Sequence, residues 1–331
     1  MRPIVDMHCD LLCYLAGNSS HSALNPEVRC SLPQLRAGKV KFQAMAVFAE
    51  TGPGSVCKGQ NQIAHFSQLP KIYPHDFQIL KKGDSLKNLL LTDPIKISMA
   101  IENASGLFEE HENLEKGFQR IEHIENENGK ILYISLTWNL ENRFGGGAHT
   151  TVGLKEDGRG LLDFLHQKKI AVDMSHTSDF LAYDILEYID KKNLQIPILA
   201  SHSNYRAISN VPRNLPDEIA IEILRRKGII GFVLYREFIG AKDPHNIIRQ
   251  LEHLLKLGGS RQTCFGADFF YGGDLPLAFS KPVADMFFAD YGDSTAYNPL
   301  LDLWEKHLGL SSETLDDIAY RNFVNFYSEN L

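Results

Sequence analysis

Residues 5–12, VDMHCDLL, are the stretch of sequence from which the fold of this chain can be inferred. The apolar start is typical of a strand entering a core, yet Asp6, His8 and Asp10 occupy every second position. Side chains of a strand alternate between its two faces, so we expect all three on the same face. Burying two carboxylates and an imidazole is unfavourable unless they pair with one another or bind a metal ion. The stretch therefore predicts a buried strand that ends in a polar site.

Composition and charge narrow the class of protein. The chain has 331 residues, 44% of them hydrophobic and 23% charged, which is ordinary for a globular protein. Its net charge is −7 and it has no basic cluster, which argues against nucleic acid and membrane surfaces as partners. No stretch approaches the roughly 18 consecutive apolar residues of a membrane-spanning helix. The five cysteines form no C-x-x-C pair, so we expect reduced thiols and a cytoplasmic location.

Apolar, β-rich runs recur along the whole chain, with helical patterns between them. We predict eight strands, at residues 3–8, 42–48, 96–102, 131–137, 170–175, 196–202, 229–234 and 263–268. The clearest helical patterns cover residues 114–126, 160–168, 179–191, 217–227 and 246–257. Strands that alternate with helices pair in parallel through right-handed crossovers.

This alternation predicts an α/β fold, a (β/α)8 TIM-like barrel, as a single domain over residues 1–331. The segment 50–87 is long for a connection between a strand and a helix, so we expect an insertion there, with a helix near 61–68. A helix over residues 312–327 is expected to close the chain.

Ionisable residues cluster where the predicted strands end, which is where such barrels carry their active sites. They are His8, Asp10, Glu102, His176, His202 and Asp268. Each alone has a less specific interpretation, since a single histidine at a strand end is more often a hydrogen-bonded core residue. Asp268 alone could also cap a helix. Six such residues at one end of a barrel favour a metal site.

Imidazole and carboxylate groups are typical ligands of zinc. Three histidines with several carboxylates can hold two ions, and a pair of ions about 3.5–4 Å apart needs a bridging ligand such as Glu102. Such a pair would produce hydroxide from a shared water at neutral pH. The residues therefore predict one Zn²⁺ ion or two per chain, with Mn²⁺ or Co²⁺ as alternatives that they do not exclude.

Four motifs resemble those of the membrane (renal-type) dipeptidase family, whose members are dinuclear zinc peptidases. They are HCD, SHTSD, ASHSNYRAI followed by VPRNLPDE, and FGADF, and the likeness runs from about Val5 to the C-terminal helix. The resemblance implies a metal-binding (β/α)8 barrel and a homodimer. It implies that His8 and Asp10 hold one zinc, that His176 and His202 hold the other, and that Glu102 bridges both.

The resemblance also implies a reaction and its further residues. The reaction is hydrolysis of the amide bond of a dipeptide with a free C-terminal carboxylate, by a hydroxide that bridges the metal ions. Asp268 corresponds to the acid/base carboxylate of the family. Arg213 would hold the substrate carboxylate through its guanidinium fork, and Tyr235 falls near a substrate-binding tyrosine. Asp6 is our own addition, as a residue that orients the His8 ring.

Two positions depart from the family pattern. Trp138 stands where well-known members carry a histidine that stabilises the tetrahedral intermediate, and tryptophan offers only one N–H donor. We expect Trp138 to line the substrate site, with Asn139, Asn142 or Arg143 as candidates for the missing electrophile. Phe270 replaces an acidic residue of the family, whereas Asp268 is kept.

Two other functions remain open from the residues. Because a fold does not fix a function, the same barrel could be a related metal-dependent amidohydrolase that acts on a lactam, a lactone or an N-acyl amino acid. The third hypothesis is a non-catalytic barrel that binds a peptide or a partner protein. The intact set of ligands argues against it.

Overall fold

The computed structural model describes residues 1–89, 93–277, 282 and 285–331. In these residues one parallel sheet of nine strands contains a closed eight-stranded barrel. The strands are β1 Ile4–Cys9, β2 Val40–Phe48, β3 Phe77–Ile79, β4 Ile95–Glu102, β5 Ile131–Ser135, β6 Ala171–Asp173, β7 Ile198–Ala200, β8 Ile229–Phe232 and β9 Thr263–Phe265. Their side chains are almost all buried, as expected of parallel strands covered by helices on the outside.

The barrel is a closed ring in which the first strand, β1, pairs with both β2 and the last strand, β9. On one side β2 pairs with β1, and on the other it pairs with β4 over seven positions, from Phe42 opposite Lys96 to Phe48 opposite Glu102. The remaining strands follow in the order β1, β9, β8, β7, β6, β5 and β4. The short strand β3 was not predicted, and it pairs only with the first residues of β4. The predicted (β/α)8 barrel is confirmed.

Helices connect the strands and cover the barrel. The α-helices are α1 Leu11–Gly17, α2 Leu32–Ala37, α3 Ser55–Ile72, α4 Leu86–Leu89, α5 Leu114–Glu127, α6 Glu156–Leu165, α7 Asp179–Lys192, α8 Asp217–Arg225, α9 Arg236–Ile239, α10 Asn246–Lys256, α11 Tyr297–Leu308, α12 Ser312–Asp316 and α13 Asn322–Asn330. Local sequence explains several of their ends. Ser178, for example, accepts a hydrogen bond from the backbone N–H of Leu181 at the start of α7, and Asn193 ends this helix in the left-handed region. Of the helices described, none is both long and apolar enough to cross a bilayer.

The predicted elements agree with the structure in type and differ at their ends. All eight predicted strands are present, but β6, β7 and β9 have only three residues each. Their predicted last residues therefore lie in the loops that follow. The segment 50–87 contains α3, β3 and α4, so its helix is much longer than the predicted residues 61–68.

The C-terminal helical segment covers the N-terminal end of the barrel. It consists of α12, a π-helical turn over Asp317–Arg321, and α13. Phe323 packs against Phe42 of β2 with ring centroids 4.9 Å apart, and Asn322 donates hydrogen bonds to the backbone oxygens of Ser260 and Thr263. The C-terminal helical segment does not cover the opposite end of the barrel, where the C-terminal ends of the strands lie and where the functional site is expected.

The expectation for Asp6 is wrong. The register of β1 against β2 shifts between Asp6 and Cys9, so strict alternation breaks down before His8. The Asp6 carboxylate accepts a hydrogen bond from the hydroxyl of Tyr297 in the outer helix α11, at 2.6 Å. It also accepts the backbone N–H of His8, at 3.3 Å, whereas the Nδ1 atom of the His8 ring pairs with the hydroxyl of Tyr133. Asp6 therefore fixes the backbone at the end of β1 and does not orient the imidazole.

Candidate active site

Six buried ionisable side chains meet at the C-terminal end of the barrel. They are His8, Asp10, Glu102, His176, His202 and Asp268. All six lie at the ends of strands or within three residues after them, on β1, β4, β6, β7 and β9. His176 and Asp268 adopt φ angles of 66° and 63°, which are uncommon for residues other than glycine. Backbone strain of this kind persists where the surrounding structure enforces it, commonly at functional sites.

Glu102 lies at the centre of the group, with one carboxylate oxygen toward each side. Its Oε1 is 2.8 Å from His176 Nε2 and 3.7 Å from His202 Nε2. Its Oε2 is 3.4 Å from His8 Nε2. A carboxylate that faces two sets of imidazoles through two different oxygens has the geometry of a bridging ligand.

The six residues form three overlapping triads whose ligand atoms lie within 4.8 Å of one another. One triad joins Glu102 to His176 and His202, and a second joins Glu102 to His8 and Asp10. These two match the ligand sets implied by the family resemblance. Asp268 completes a third triad with His8 and His202, and its Oδ1 is 3.6 Å from His8 Nε2.

Hydrogen bonds fix the tautomer of His8. Its Nδ1 lies 2.7 Å from the hydroxyl of Tyr133, which itself donates to the backbone oxygen of Met7 at 2.9 Å. Because the Tyr133 hydroxyl donates its proton to Met7, its oxygen must accept a hydrogen bond from the Nδ1–H of His8. The Nε2 lone pair of His8 then faces the site, as a metal ligand requires.

His202 is held in the same way by a short relay. Its Nδ1 is 2.7 Å from Ser201 Oγ, and this hydroxyl donates to Asp173 Oδ2 at 2.6 Å. Asp173 also accepts from Ser135 Oγ and from the backbone N–H groups of Ser175 and Ser201. Nδ1 of His202 is therefore the donor, and Nε2 carries the free lone pair.

Two groups compete for the third histidine. His176 Nδ1 is 2.8 Å from Asn139 Oδ1, which requires a proton on Nδ1, and 3.1 Å from Arg213 Nε, which requires a lone pair there. Nε2 of His176 lies only 2.9 Å from Nε2 of His202. If Nε2 of His176 binds a metal ion, the ring proton is on Nδ1. Nδ1 then donates to Asn139, and the Nε–H of Arg213 is available to another partner.

The residues present fit a metal ion. Nε2 of His8 and Oδ1 of Asp10 are buried and have no hydrogen-bond partner, which is costly unless a ligand satisfies them. Burial lowers the pKa of His176 and His202 well below the usual range, so both imidazoles are neutral, as metal binding requires. Burial also raises the pKa of Glu102 to about 8 and that of Asp268 to about 7. A divalent cation would favour the ionised form of both carboxyl groups.

Comparison with known proteins identifies the family. The family described as membrane dipeptidase, peptidase family M19, matches residues 1–329. The chain belongs to this family. An uncharacterised dipeptidase of Schizosaccharomyces pombe is 25% identical over 356 residues, which cover 98% of this chain and 80% of the relative.

Solved structures of M19 peptidases have the same fold. A metallopeptidase of Rhodobacter sphaeroides, solved with a phosphinate mimic of the dipeptide L-Ala-D-Ala, superimposes with a TM-score of 0.81. It is 18% identical, and the match covers 100% of this chain and 99% of that one. The dipeptidase AC of family M19 gives the same TM-score and identity, with 99% and 98% coverage.

The cavity of this M19 peptidase opens over the ionisable cluster. It has a volume of about 280 Å³, near the lower end of the range for small-molecule sites. Its walls include Arg213, Trp138, Asn139 and Tyr235, the residues predicted to contact substrate. Arg213 is buried and donates to Ser203 Oγ and to the backbone oxygen of His202, and its guanidinium lies 5.3 Å from the centre of the Phe238 ring.

Two of the candidate electrophiles lie outside the cavity walls. Asn142 donates to the backbone oxygen of Leu136 at 2.8 Å, and Arg143 donates from Nε to Asp157 Oδ2 at 2.8 Å. Both side chains thus hold the loop after β5, and neither lines the cavity. Trp138 does line it, and its indole N–H donates a hydrogen bond to Glu102.

The sequence reasoning missed the residues that orient the ligands. Ser201 immediately precedes His202, which was a usable signal, but Tyr133 is 125 positions from His8 and reaches it across the barrel. It also missed Asp274, which lines the cavity beyond Asp268. An aspartate in a loop of the sequence FYGGD carries no pattern that distinguishes it from a surface turn.

Proposed function

We propose that this chain is a dinuclear zinc dipeptidase that hydrolyses the amide bond of short peptides with a free C-terminal carboxylate. The observation that carries the proposal is the position of Glu102 between two sets of imidazole nitrogens, with one oxygen toward each. Membership of the M19 family supports it. So does the dipeptide mimic bound to the structurally similar metallopeptidase of Rhodobacter sphaeroides.

In this proposal His8 and Asp10 hold one ion, His176 and His202 hold the other, and Glu102 contacts both. Zn²⁺ suits these ligands best, and Mn²⁺ or Co²⁺ could replace it. When bound, such ions would lower the pKa of a water molecule, so that hydroxide is available as the nucleophile at neutral pH, and would polarise the scissile carbonyl.

Asp268 is assigned the proton transfers. Its carboxylate is buried beside His8, and burial raises its pKa to about 7. A group with a pKa near the working pH can take a proton from the nucleophile and pass it to the leaving amine. Trp138 holds Glu102 through its indole N–H, which keeps the bridging carboxylate in one orientation.

Arg213 is assigned the C-terminal carboxylate of the substrate. Its guanidinium lies against His176 and His202, so a carboxylate there would lie next to the ions. Once His176 Nδ1 donates to Asn139, the Nε–H of Arg213 is available to such a ligand. Tyr235, in the wall of the same cavity, is the second candidate for this contact.

Hydrolysis of a panel of dipeptides by metal-stripped and zinc-reconstituted protein tests the proposal. The panel pairs L-L with L-D dipeptides, and the Asp268→Asn variant serves as a control that keeps the proposed metal ligands. We expect zinc-dependent cleavage by the wild type, about two ions per chain in both proteins, and little turnover by the variant. Activity on a lactam, a lactone or an N-acyl amino acid, with none on dipeptides, would instead support the amidohydrolase function.

We further propose that the protein is a homodimer that works in a reducing compartment such as the cytoplasm. All five cysteines are free thiols in the structure, which agrees with reducing conditions. Light scattering during size-exclusion chromatography tests the dimer. Localisation of the tagged protein in its own cell tests the compartment.

A further inference from the structure

Asp274 is a carboxylate in the cavity wall that the proposed reaction does not use. It ends a short 3-10 turn, Gly272–Asp274, in the loop after β9, and this turn packs against α1. Cys13 of α1, Leu275 and Pro276 line the same part of the cavity. Asp274 belongs to none of the three triads that could hold a metal ion.

One oxygen of Asp274 has no partner among the described residues. Its Oδ2 is buried and accepts no hydrogen bond from them, whereas the buried Asp173 accepts hydrogen bonds on both oxygens. Across the described part of the chain no cation forms an ion pair with Asp274. His21 is the basic group whose charge stabilises the Asp274 carboxylate, but its Nδ1 donates to the backbone oxygen of Tyr14, 2.6 Å away. A buried carboxylate oxygen without a hydrogen bond is unfavourable, so we expect a donor from a bound ligand.

Arg213 and Asp274 neighbour different candidate ion groups. Arg213 contacts His176 and the backbone of His202, which form one candidate ion group. Asp274 lies near Asp10 of the other group and near Cys13: burial raises the pKa of both residues, and the charge of Asp274 adds to that effect. The cavity therefore has a cationic wall next to one ion group and an anionic wall next to the other.

A zwitterionic dipeptide matches this polarity. If Arg213 holds the carboxylate and the amide bond lies over Glu102, the N-terminal residue extends toward Asp10 and Asp274. An ammonium group brings three donors and a positive charge. It would satisfy Oδ2 and offset the burial that raises the pKa of Asp274 to about 6.

We propose that Asp274 binds the α-ammonium group of the substrate's N-terminal residue and thereby restricts the enzyme to dipeptides with an unblocked amino end. The inference rests on the proposed function, because it takes the amide bond to lie over Glu102. Asp274 is a specificity-determining residue in this account, and it takes no part in the proton transfers.

The test compares two substrates that differ only at this group. They are L-alanyl-L-alanine and lactoyl-L-alanine, in which a hydroxyl replaces the ammonium group. We expect the wild type to prefer the ammonium substrate in kcat/KM, and Asp274→Asn to lose about 10- to 100-fold of that preference, as befits a hydrogen bond between charged groups. Asp302→Asn, an exposed position on α11, is the matched control and should leave the ratio unchanged.

Calorimetric titration separates this inference from the proposed function. The probes are a phosphinate analogue of L-Ala-L-Ala and its counterpart without the amino group, which report binding whether or not the enzyme cleaves dipeptides. Dipeptide cleavage with equal substrate preference in wild type and Asp274→Asn would overturn the inference alone. Amine-dependent binding that is lost in the variant, without any dipeptide cleavage, would support the inference and refute the function. Absence of both cleavage and amine-dependent binding would overturn both.

Discussion

Replacing Tyr133 by phenylalanine removes a single hydroxyl from the interior of the barrel. That hydroxyl is fully buried and joins His8 Nδ1, at 2.7 Å, to the backbone oxygen of Met7, at 2.9 Å. The substitution leaves the buried Nδ1–H of His8 without its partner and removes one donor from the backbone oxygen of Met7. The His8 ring then loses the contact that fixes its tautomer and its orientation.

Two effects of Tyr133→Phe can be estimated. Residues that hydrogen-bond a metal ligand typically contribute about 10- to 100-fold in metal affinity, or about 1.4–2.7 kcal/mol. Leaving a buried polar group unsatisfied costs about 1–3 kcal/mol of folding stability. We therefore expect zinc affinity at the His8 site to fall by 10- to 100-fold, and the metal-free protein to be destabilised by about 2 kcal/mol.

Tyr205→Phe is the matched control for this experiment. The Tyr205 side chain is also buried, but its hydroxyl forms no hydrogen bond, so removing it leaves no unsatisfied partner. Zinc affinity is measured by competition with a chromophoric chelator, and stability by urea denaturation of the metal-free proteins. We expect the control to match the wild type in affinity and to equal or exceed it in stability. Equal zinc affinity in Tyr133→Phe and wild type would refute the tautomer argument.

Four other substitutions give checkable outcomes. Asp268→Asn should lower kcat by at least about 100-fold with metal content unchanged, as expected for loss of an acid/base group, and steady-state kinetics with metal analysis measures both. Arg213→Lys should raise KM for dipeptides by about tenfold, because an ammonium cannot form the bidentate contact; an unchanged KM would remove Arg213 from substrate binding. Gly147→Ala would place Cβ 1.8 Å from the backbone oxygen of Trp138, so it should lower the free energy of unfolding by about 1–3 kcal/mol, as thermal unfolding can measure. Gly106→Ala should lower it less, because its Cβ would lie 3.6 Å from its nearest neighbour, the Cβ of Ala49. Burial raises the pKa of Asp274 to about 6 from an unfolded value near 4, so ionisation opposes folding as pH rises through this range. Asp274→Asn should therefore stabilise the metal-free protein by on the order of 1 kcal/mol at pH 7, after allowance for the partial exposure of the side chain. Below about pH 4 the variant and the wild type should be equally stable, and urea denaturation at both pH values measures the difference.

The strands of the barrel could be predicted because each is a continuous apolar run that changes abruptly to polar residues. The run IKISMAIE of β4 is buried at all eight positions and ends in Glu102. The strand β3 could not be predicted in this way, since three residues paired only with the start of β4 leave no periodic signal. The ends of β6, β7 and β9 were placed too late, because side chains in the following loops are buried as deeply as those of the strands.

The candidate ligands could be predicted because they follow strand ends, whereas the residues that orient them could not. Because the register of β1 shifts between Asp6 and Cys9, the side chains of Asp6 and His8 have different partners. Such a bulge has no recognisable pattern in a single sequence. Asn142 and Arg143 are close to the site in sequence, but Asn142 is held by a hydrogen bond within its own loop and Arg143 by Asp157 of α6. Sequence proximity predicts which loop a residue joins, and its hydrogen-bond partners decide where its side chain points.

The pairing of β1 with β9 has a consequence for how the site is assembled during synthesis. The backbone N–H of Ala267 donates to Asp6 across 261 positions of the chain, and Asp268 lies beside His8 at the same seam. His202, by contrast, follows His176 by only 26 positions. Contacts between distant segments form late, because closing long loops costs more entropy and because the ribosome delivers the C-terminal strand last. The His176–His202 group can therefore assemble on a growing chain, whereas the environment of His8 is completed only when the barrel closes.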